Sequence, residues 1–568
     1  MRLSHSLVAL VVAGAGALAL AAPDDAEPLL IDVSDFANTS VGVPSDFSVG
    51  SLFPHVHGAE AETAAAELEQ EPEDPASAAG ELASLVRSFT EQADESSDVT
   101  AEPGMLVVRG NAAARERAQA VVAVLRRARG TPLRIDAEWL RLPPGSEVPS
   151  SPDAAALDRL RRLDDAGGAH ALTVVTPAAR WAAVTALREM SYIADVDVEI
   201  AQAAQVADPV VGVLQPGVTA LLRPVPLSDG RVLVRVRAAR SDLLAPLRRL
   251  SLGLEKLGAL ELADIDAMSV STDVVLAPRT ATTLVLGRPG GSVHVLVLRL
   301  ADPPTPVLEG TLRTVPVGAY GDDEGDPQLS ATRNDGSFVR LWGVGVRSPE
   351  TAWDRSVVID AALSPVRDEV DEGSIYATTL DRLLGGALVV SGPAERLDGI
   401  VARVRRFERE LLRPVAVNVR LEEREGDAPA RRIGELRGTL LEGRFAQFAA
   451  YRDASRVIDY DVEVAEKAQI ADPIVRGVLA GLAANLRAVP TEGGWTVDVD
   501  LFAATLDAPE GIVSGAVDLG TIERVGLAVR RATTSLHVPS GGKAELALGT
   551  SPFSQNPARL VAVVEVVR

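Results

Sequence analysis

Cysteine is missing from all 568 residues. That absence removes disulfides, thiolate metal sites, thiol nucleophiles and a lipid-modified N-terminal cysteine. Aromatic residues are scarce, at 4%, which argues against a surface that stacks sugars or bases. Positive charge is in the minority: 56 Lys and Arg stand against 79 Asp and Glu, for a formal net charge of −23. A field of that sign repels a phosphate backbone, so nucleic-acid binding would need a strongly local basic patch. Beyond the start of the chain no segment approaches 18 uninterrupted apolar residues, so no transmembrane helix is expected there. What is present is a chain with 47% apolar and 24% charged residues, globular in composition and long enough for several hydrophobic cores.

Residues 1–22 (MRLSHSLVALVVAGAGALALAA) carry Arg2, an apolar run from Leu7 to Leu20, and small residues at Ala19 and Ala21. The run is shorter than the ~20 residues of a membrane span, and Pro23-Asp24-Asp25 follows at once. It is therefore expected to be a cleaved signal peptide rather than an anchor. Export without cysteine suits a bacterial periplasm or the outside of the cell. Residues 23–80 form an N-terminal segment in which Ala59–Gly80 holds seven acidic residues, no basic one and two prolines, the composition of a flexible acidic linker.

The chain resembles itself. Gly104–Leu140 aligns without a gap with Gly386–Glu422 at an offset of 282, matching Gly104/Gly386, Leu106/Leu388, Val107/Val389, Val108/Val390, Gly110/Gly392 and Pro132/Pro414. Asp197–Pro226 aligns with Asp461–Pro490 at an offset of 264, with about half the positions identical, including Gln205-Val-Ala-Asp208-Pro209 against Gln469-Ile-Ala-Asp472-Pro473. A weaker block pairs Ser271–Gly287 with Thr533–Gly549 at an offset of 262. Three colinear blocks imply one duplicated module of roughly 200 residues. The fall from 282 to 264 puts 18 extra residues in the first copy, near the Pro/Ser/Asp-rich stretch Pro143–Ala169, expected to be a longer loop.

Each block has a local structure. Leu106-Val107-Val108 is a short strand closed by Gly110, and Ala118, Val121, Val122, Leu125 and Ala128 make the apolar stripe of a helix. Ile400, Val401, Val404 and Phe407 repeat that stripe in the second copy. Pro132 and Pro414 block helix continuation and open alternating strands. A second strand–helix–strand unit is expected from Ala171–Val175, a helix Ala178–Tyr192 containing Trp181, and Val196–Ala201. Its counterpart is Thr439–Leu441, a helix Arg444–Ala454, and Val457–Ala465. Ser228-Asp229-Gly230 and Glu492-Gly493-Gly494 sit between alternating runs as hairpin turns.

With these residues in view, the module resembles the secretin family of bacterial type II and III secretion systems. The LVVxG strand, helix and Pro-started strand look like a secretin N-domain running into the secretin domain. The RPVP-type strand with its hairpin, and the closing T-x-V…L-G segments (Ser271–Gly287, Thr533–Gly549), look like that domain's core. The resemblance covers Gly104 to about Leu300 and Gly386 to Arg568. The family's gate motif is absent from both copies, as are long lipid-facing hairpins, and two tandem modules depart from the single one of a secretin subunit. The resemblance thus implies a soluble relative used as an assembly module.

No residue pattern asks for chemistry. His55-Val56-His57 has no motif to supply a third zinc ligand, and His5, His170, His294 and His537 are isolated. Ser540-Gly541-Gly542-Lys543 matches S-x-x-K but falls on an expected hairpin turn with no companion motif. Gly287–Ser292 lacks the Lys and following helix of a phosphate loop. Asp208-Pro209 and Asp472-Pro473 are expected to be turns or helix starts rather than paired carboxylates. Trp139, Trp181 and Trp495 are expected to fill cores; Trp342 and Trp353 lie between modules.

The expected fold class is α+β: a tandem duplicated module of small strand–helix–strand (βαββ-like) domains followed by an antiparallel β-hairpin sheet. Its parts are a signal peptide (1–22), an N-terminal segment (23–80), module 1 (81–302), a connecting segment (303–355) and module 2 (356–568). The expected function is non-enzymatic: an exported assembly or scaffold component of the periplasm or cell envelope, outer-membrane or surface associated, related to protein secretion. No catalytic, metal or cofactor-binding residue is assigned. Partners are proteins, either further copies of the chain or secretion-system components, with no nucleic acid and no integral membrane span in the mature chain. The alternatives are a module that binds a peptide at exposed sheet edges and, third, an exported hydrolase.

Overall fold

The computed structural model describes residues 28–33, 75–316 and 355–567, excluding 103, 131, 165–169, 177, 179–181, 189, 202–203, 215, 245, 252–258, 289–290, 302–307, 310–311, 372–374, 381–386, 427, 466–467, 507–509, 514–520, 525 and 554–557. The expected signal peptide, His5, His55, His57, Trp181, Trp342 and Trp353 lie outside the described residues.

Strand β1 (Leu29–Asp32) and helix α1 (Pro75–Glu91) come first, then β2 (Asp98–Glu102), β3 (Met105–Arg109) and helix α2 (Ala112–Gly130). They form a small α/β layer with sheet order β1-β3-β2. Two features differ from expectation: Leu29–Asp32 pairs antiparallel with β3, and a helix starts at Pro75, inside the stretch read as linker. Ala83, Val86 and Phe89 are buried in one cluster with Val121, Val122 and Leu125 of α2, and that apolar gain sets the helix start.

The first half continues through β4 (Leu133–Leu142), α3 (Ala154–Leu163), β5 (His170–Thr176), β6 (Ala182–Leu187), β7 (Met190–Ala201), β8 (Ala204–Leu214), β9 (Gly217–Pro226) and β10 (Val232–Leu243). After these come β11 (Arg248–Ser251), β12 (Ala259–Leu262), β13 (Asp264–Leu276), β14 (Ala281–Gly287) and β15 (Val293–Leu300). A second small α/β layer follows: β16 (Leu308–Glu309), β17 (Leu312–Pro316), α4 (Arg355–Leu363), α5 (Arg367–Asp371), β18 (Tyr376–Leu380), β19 (Ala387–Ser391) and α6 (Ala394–Leu411). Here β17, from the connecting segment, pairs with β19. The second half has β20 (Pro414–Arg424), β21 (Arg431–Leu441), β22 (Phe445–Ala465), β23 (Ala468–Thr491), β24 (Gly494–Leu506), β25 (Glu510–Val513), β26 (Thr521–Arg524), β27 (Leu527–Pro539), β28 (Lys543–Thr550) and β29 (Arg559–Val567).

Two eight-stranded antiparallel sheets dominate. Sheet I runs β6-β9-β10-β13-β22-β23-β24-β27, and sheet II runs β5-β4-β15-β14-β21-β20-β29-β28. Their facing sides share the largest core, with Ile135, Trp139, Val234, Leu296, Val417, Phe448, Leu486 and Trp495 among its members. Trp139 and Trp495 are therefore core residues, as expected. The chain is mostly antiparallel β with helices at the N-terminal side of each half.

The second strand–helix–strand unit is corrected. Ala182–Leu187 and Met190–Ala201 are strands, and Phe445–Ala465 is one strand of 21 residues. On β22, Ala446, Phe448 and Ala450 enter the core between the sheets, while Ala449 and Tyr451 enter a second core on the opposite face. A strand covered on both faces loses polar alternation, and its run of small apolar residues then has no period to distinguish it from a helix. The second face is covered in part by the β7–β8 hairpin, whose Tyr192 and Leu214 join that core.

The extra residues of the first half are not only loop. Asp153 caps α3 by accepting a hydrogen bond from Ala156 N at 2.6 Å, and Leu157 and Leu160 pack on Leu140, Val285 and Val295 of sheet II. Asp208-Pro209 and Asp472-Pro473 are neither turns nor helix starts: they lie within β8 and β23. Among the described residues β8 pairs only with β7, and β23 pairs with β24 only from Gly481 onward, so each Pro sits where one side of the strand asks for no N–H.

Candidate assembly interface

Both sheets cross from the first half of the chain to the second without a break. In sheet I the joint is β13 on β22, eight opposed pairs from Asp264↔Ala454 to Ser271↔Gln447. In sheet II it is β14 on β21, Val285↔Arg437 to Gly287↔Glu435. Charge is concentrated here. Arg444 meets Asp273 at 2.6 Å with both side chains 3% exposed, and Arg235 lies 3.8 Å away. Burial pushes the Asp273 carboxyl up, but Arg444, Arg235 and Arg237 outweigh it and hold it below its ordinary value. Asp264 takes Arg452 at 2.6 Å and Arg456 at 3.0 Å. Thr272 Oγ1 donates across to Thr439 O at 2.7 Å. The inserted loop braces the same joint: Arg432 donates to Gly145 O at 3.0 Å, and Arg437 donates to Val148 O.

The strand order has a consequence for the outer edges. Sheet I ends in β6 on one side and β27 on the other, and sheet II ends in β5 and β28. By the sequence offsets, β27 and β28 hold the places of β13 and β14, whereas β6 and β5 hold those of β22 and β21. The outer edges are thus the two halves of the joint already made inside the chain, left apart. Burial follows. β13 is buried at nine of its 13 positions, whereas β27 is buried at Val538 alone. β14 is buried at all but one position, and β28 at none.

Side-chain parity also matches. Carrying the inner register outward opposes Ala532 with Val184 and Thr533 with Ala183. Val184 and Ala182 pack on the central core from one end; Leu536, Ala544, Leu546 and Leu548 pack on it from the other. A one-residue slip would turn these apolar sets to solvent, so register is specified by the core.

A third contact ties the α/β layers to the sheets. Helix α6 lies beneath the β9–β10 turn, with Val225, Leu227 and Leu233 in one core with Ile400, Val404 and Leu412. The Glu408 carboxylate, 1% exposed, accepts from Ser228 N at 3.0 and 3.1 Å and from the Ser228 hydroxyl. Burial is the largest influence and pushes its pKa up to about 7, against the pull of those hydrogen bonds.

The residues weighed in the sequence fall elsewhere. Ser540–Lys543 is the β27–β28 turn, where Gly542 N donates to Pro539 O at 2.9 Å and Gly541 has φ 65°. His294 is buried in β15, and burial, then Arg240, Arg141 and Arg288, hold its pKa well below the ordinary value; His537 lies on β27 and His170 opens β5. Among the described residues no group of three or more His, Asp or Glu could hold a metal ion, and no helix is long and apolar enough to cross a membrane. The joint residues Asp273, Arg444, Asp264 and Arg452 escaped the sequence reading. Only the two carboxylates diverge at aligned positions: Ser535 stands where Asp273 does and Gly526 where Asp264 does, whereas Arg180 and Arg188 stand where Arg444 and Arg452 do.

No family model and no curated protein matches the chain. Among solved structures, it is similar to the secretin-domain β-barrel of InvG from the Salmonella SPI-1 injectisome, at 15% identity and TM-score 0.17, over 34% of this chain and 72% of that one. It is similar to the InvG secretin of the Salmonella SPI-1 type III secretion injectisome at 12% identity and TM-score 0.20, over 51% and 89% of the two chains. The V. cholerae type IV competence pilus secretin PilQ matches at 8% identity and TM-score 0.16, over 42% and 89%. At such values these are distant likenesses.

Proposed function

We propose that the chain is a tandem pair of secretin-like modules that assembles head to tail with further copies of itself, as a non-enzymatic scaffold of the cell envelope related to protein secretion. The observation that carries this is the pair of unmatched outer edges. A joint made once within the chain, between unlike surfaces, is heterologous, and repetition of such a joint between chains closes into a ring or extends as a filament. Each addition would prolong both sheets and bring the half-covered apolar ends of the central core together. The role in secretion comes from the secretin resemblance of the sequence blocks, and export and envelope location from the expected signal peptide of residues 1–22 together with that resemblance.

The cysteine-free sequence makes the test clean. Chains carrying Ala183→Cys mixed with chains carrying Thr533→Cys should form disulfide-linked dimers under mild oxidation, and chains carrying both should form a ladder. Failure to cross-link at any concentration, with a monomeric mass by light scattering, overturns assembly. Cross-linking abolished by an added β-strand peptide would instead favour an edge that captures a foreign strand.

A further inference from the structure

The seat that α6 occupies beneath the β9–β10 turn has a counterpart in the second half that is more exposed among the described residues. Val225 is 2% exposed in that seat, whereas Val489, its match at offset 264, is 37% exposed at the foot of β23. Ser228 corresponds to Glu492, which is exposed at the tip of the β23–β24 turn, where Gly493 has φ 78°. On the helix side, Glu408 corresponds at offset 282 to Arg126 of α2. Acceptor and donor have changed places. Inside the chain a helix carboxylate takes hydrogen bonds from the turn; at the counterpart seat the turn carries the carboxylate and the helix the guanidinium.

We infer that, in the head-to-tail assembly, α2 of one chain docks beneath the β23–β24 turn of its neighbour, with Arg126 bound to the neighbour's Glu492 and Val489 covered. This rests on the assembly proposed above and adds to it a specific contact between the α/β layer and the sheets across the chain boundary. Arg126 is exposed and already donates to Asp32 O. A guanidinium has five N–H donors in a planar fork, so one can serve that carbonyl while others engage a carboxylate. Within one chain α2 leads into β4, next to the β5 end of sheet II, whereas β23 and β24 lie toward the β27 end of sheet I, so the occupant of the seat is a second copy.

The test uses full chains and separate cysteine pairs. Arg126→Cys chains mixed with Glu492→Cys chains should give a disulfide-linked heterodimer, alongside the Ala183→Cys and Thr533→Cys pair. Charge reversal, Arg126→Glu or Glu492→Arg, should weaken association about tenfold each, and mixing both reversals at one joint should recover most of it. Both residues are exposed, so the variants should keep the wild-type circular dichroism. If the sheet-edge pair cross-links while the Arg126/Glu492 pair does not, and the reversals leave association unchanged, this contact is overturned and the head-to-tail assembly stands. If neither pair cross-links, the assembly fails and the contact fails with it.

Discussion

The joint between the two halves and the outer edges are the same strands in different company. At the joint, β13 and β14 are covered by β22 and β21, pinned by buried ion pairs and braced by the inserted loop. At the outer edge, β27 and β28 keep the apolar inward positions but have Ser535 and Gly526 where the joint has Asp273 and Asp264. Apolar parity is retained and the carboxylates are not, while Arg180 and Arg188 keep the arginines at the positions of Arg444 and Arg452. The difference separates two settings: the inner joint holds buried ion pairs whose partners are always present, whereas the outer edge keeps the arginine positions but leaves no carboxylate there that would need a partner once buried.

The largest effects should come from breaking the inner joint. Phe448 is fully buried between the sheets, and its ring lies so close to Gly438 that a Cβ there would meet it at 2.3 Å. Phe448→Ala should cost about 3–5 kcal/mol in urea unfolding, since two well-packed sheets cannot close over the cavity. The outer counterpart, Val184→Ala, should cost about 1 kcal/mol in the isolated chain, because that side chain is only half covered. Asp273→Ala should cost about 3–5 kcal/mol by leaving Arg444 and Arg235 buried beside no carboxylate. Ser535→Ala, at the matching exposed position, should fall within about 0.5 kcal/mol of wild type. Equal effects at the paired sites would remove the distinction between joint and edge.

How far the sequence showed this depends on the range of the interaction. The LVVxG strands, the helices carrying Val122 and Val404, and the turns at Gly230 and Gly493 were legible because each is set by residues within one turn or one strand. The continuous β22 was not, since Ala449 and Phe448 face different cores and leave no alternation. The joint was invisible for another reason: Asp273 and Arg444 are brought together only by a strand pairing that spans the two halves. Glu408 is the sharpest case. It sits at an ordinary polar spacing on its helix, and only the turn 180 residues away makes it a buried acceptor.

That residue gives the next comparison. Glu408 titrates near 7 in the folded chain against an ordinary 4.5. A carboxyl raised in the folded state favours folding fully below 4.5, and that contribution is lost as pH rises through about 7. Stability should therefore fall by about 3 kcal/mol between pH 4.5 and pH 8, measured by denaturant midpoint, and Glu408→Gln should flatten this slope while keeping an oxygen for Ser228. Arg126→Gln, at the matching place on α2, leaves the buried Glu408 carboxyl intact, so that variant should retain the full pH dependence.

The smallest effect discriminates best between chain and assembly. Thr272 is buried and donates to Thr439 O at 2.7 Å across the two sheets at the joint. Thr272→Val keeps the shape and removes the donor, and should cost about 1 kcal/mol in the isolated chain. Thr534 holds the matching place on β27, and its counterpart acceptor, at the position of Val175, lies on β5 at the far end of sheet II. Thr534→Val should leave unfolding of the isolated chain unchanged. If the outer edges repeat the inner joint, the same lost hydrogen bond appears between chains, as about fivefold weaker association in light scattering over a concentration series. An association constant untouched by Thr534→Val would mean that chains meet by a geometry other than the one the joint displays.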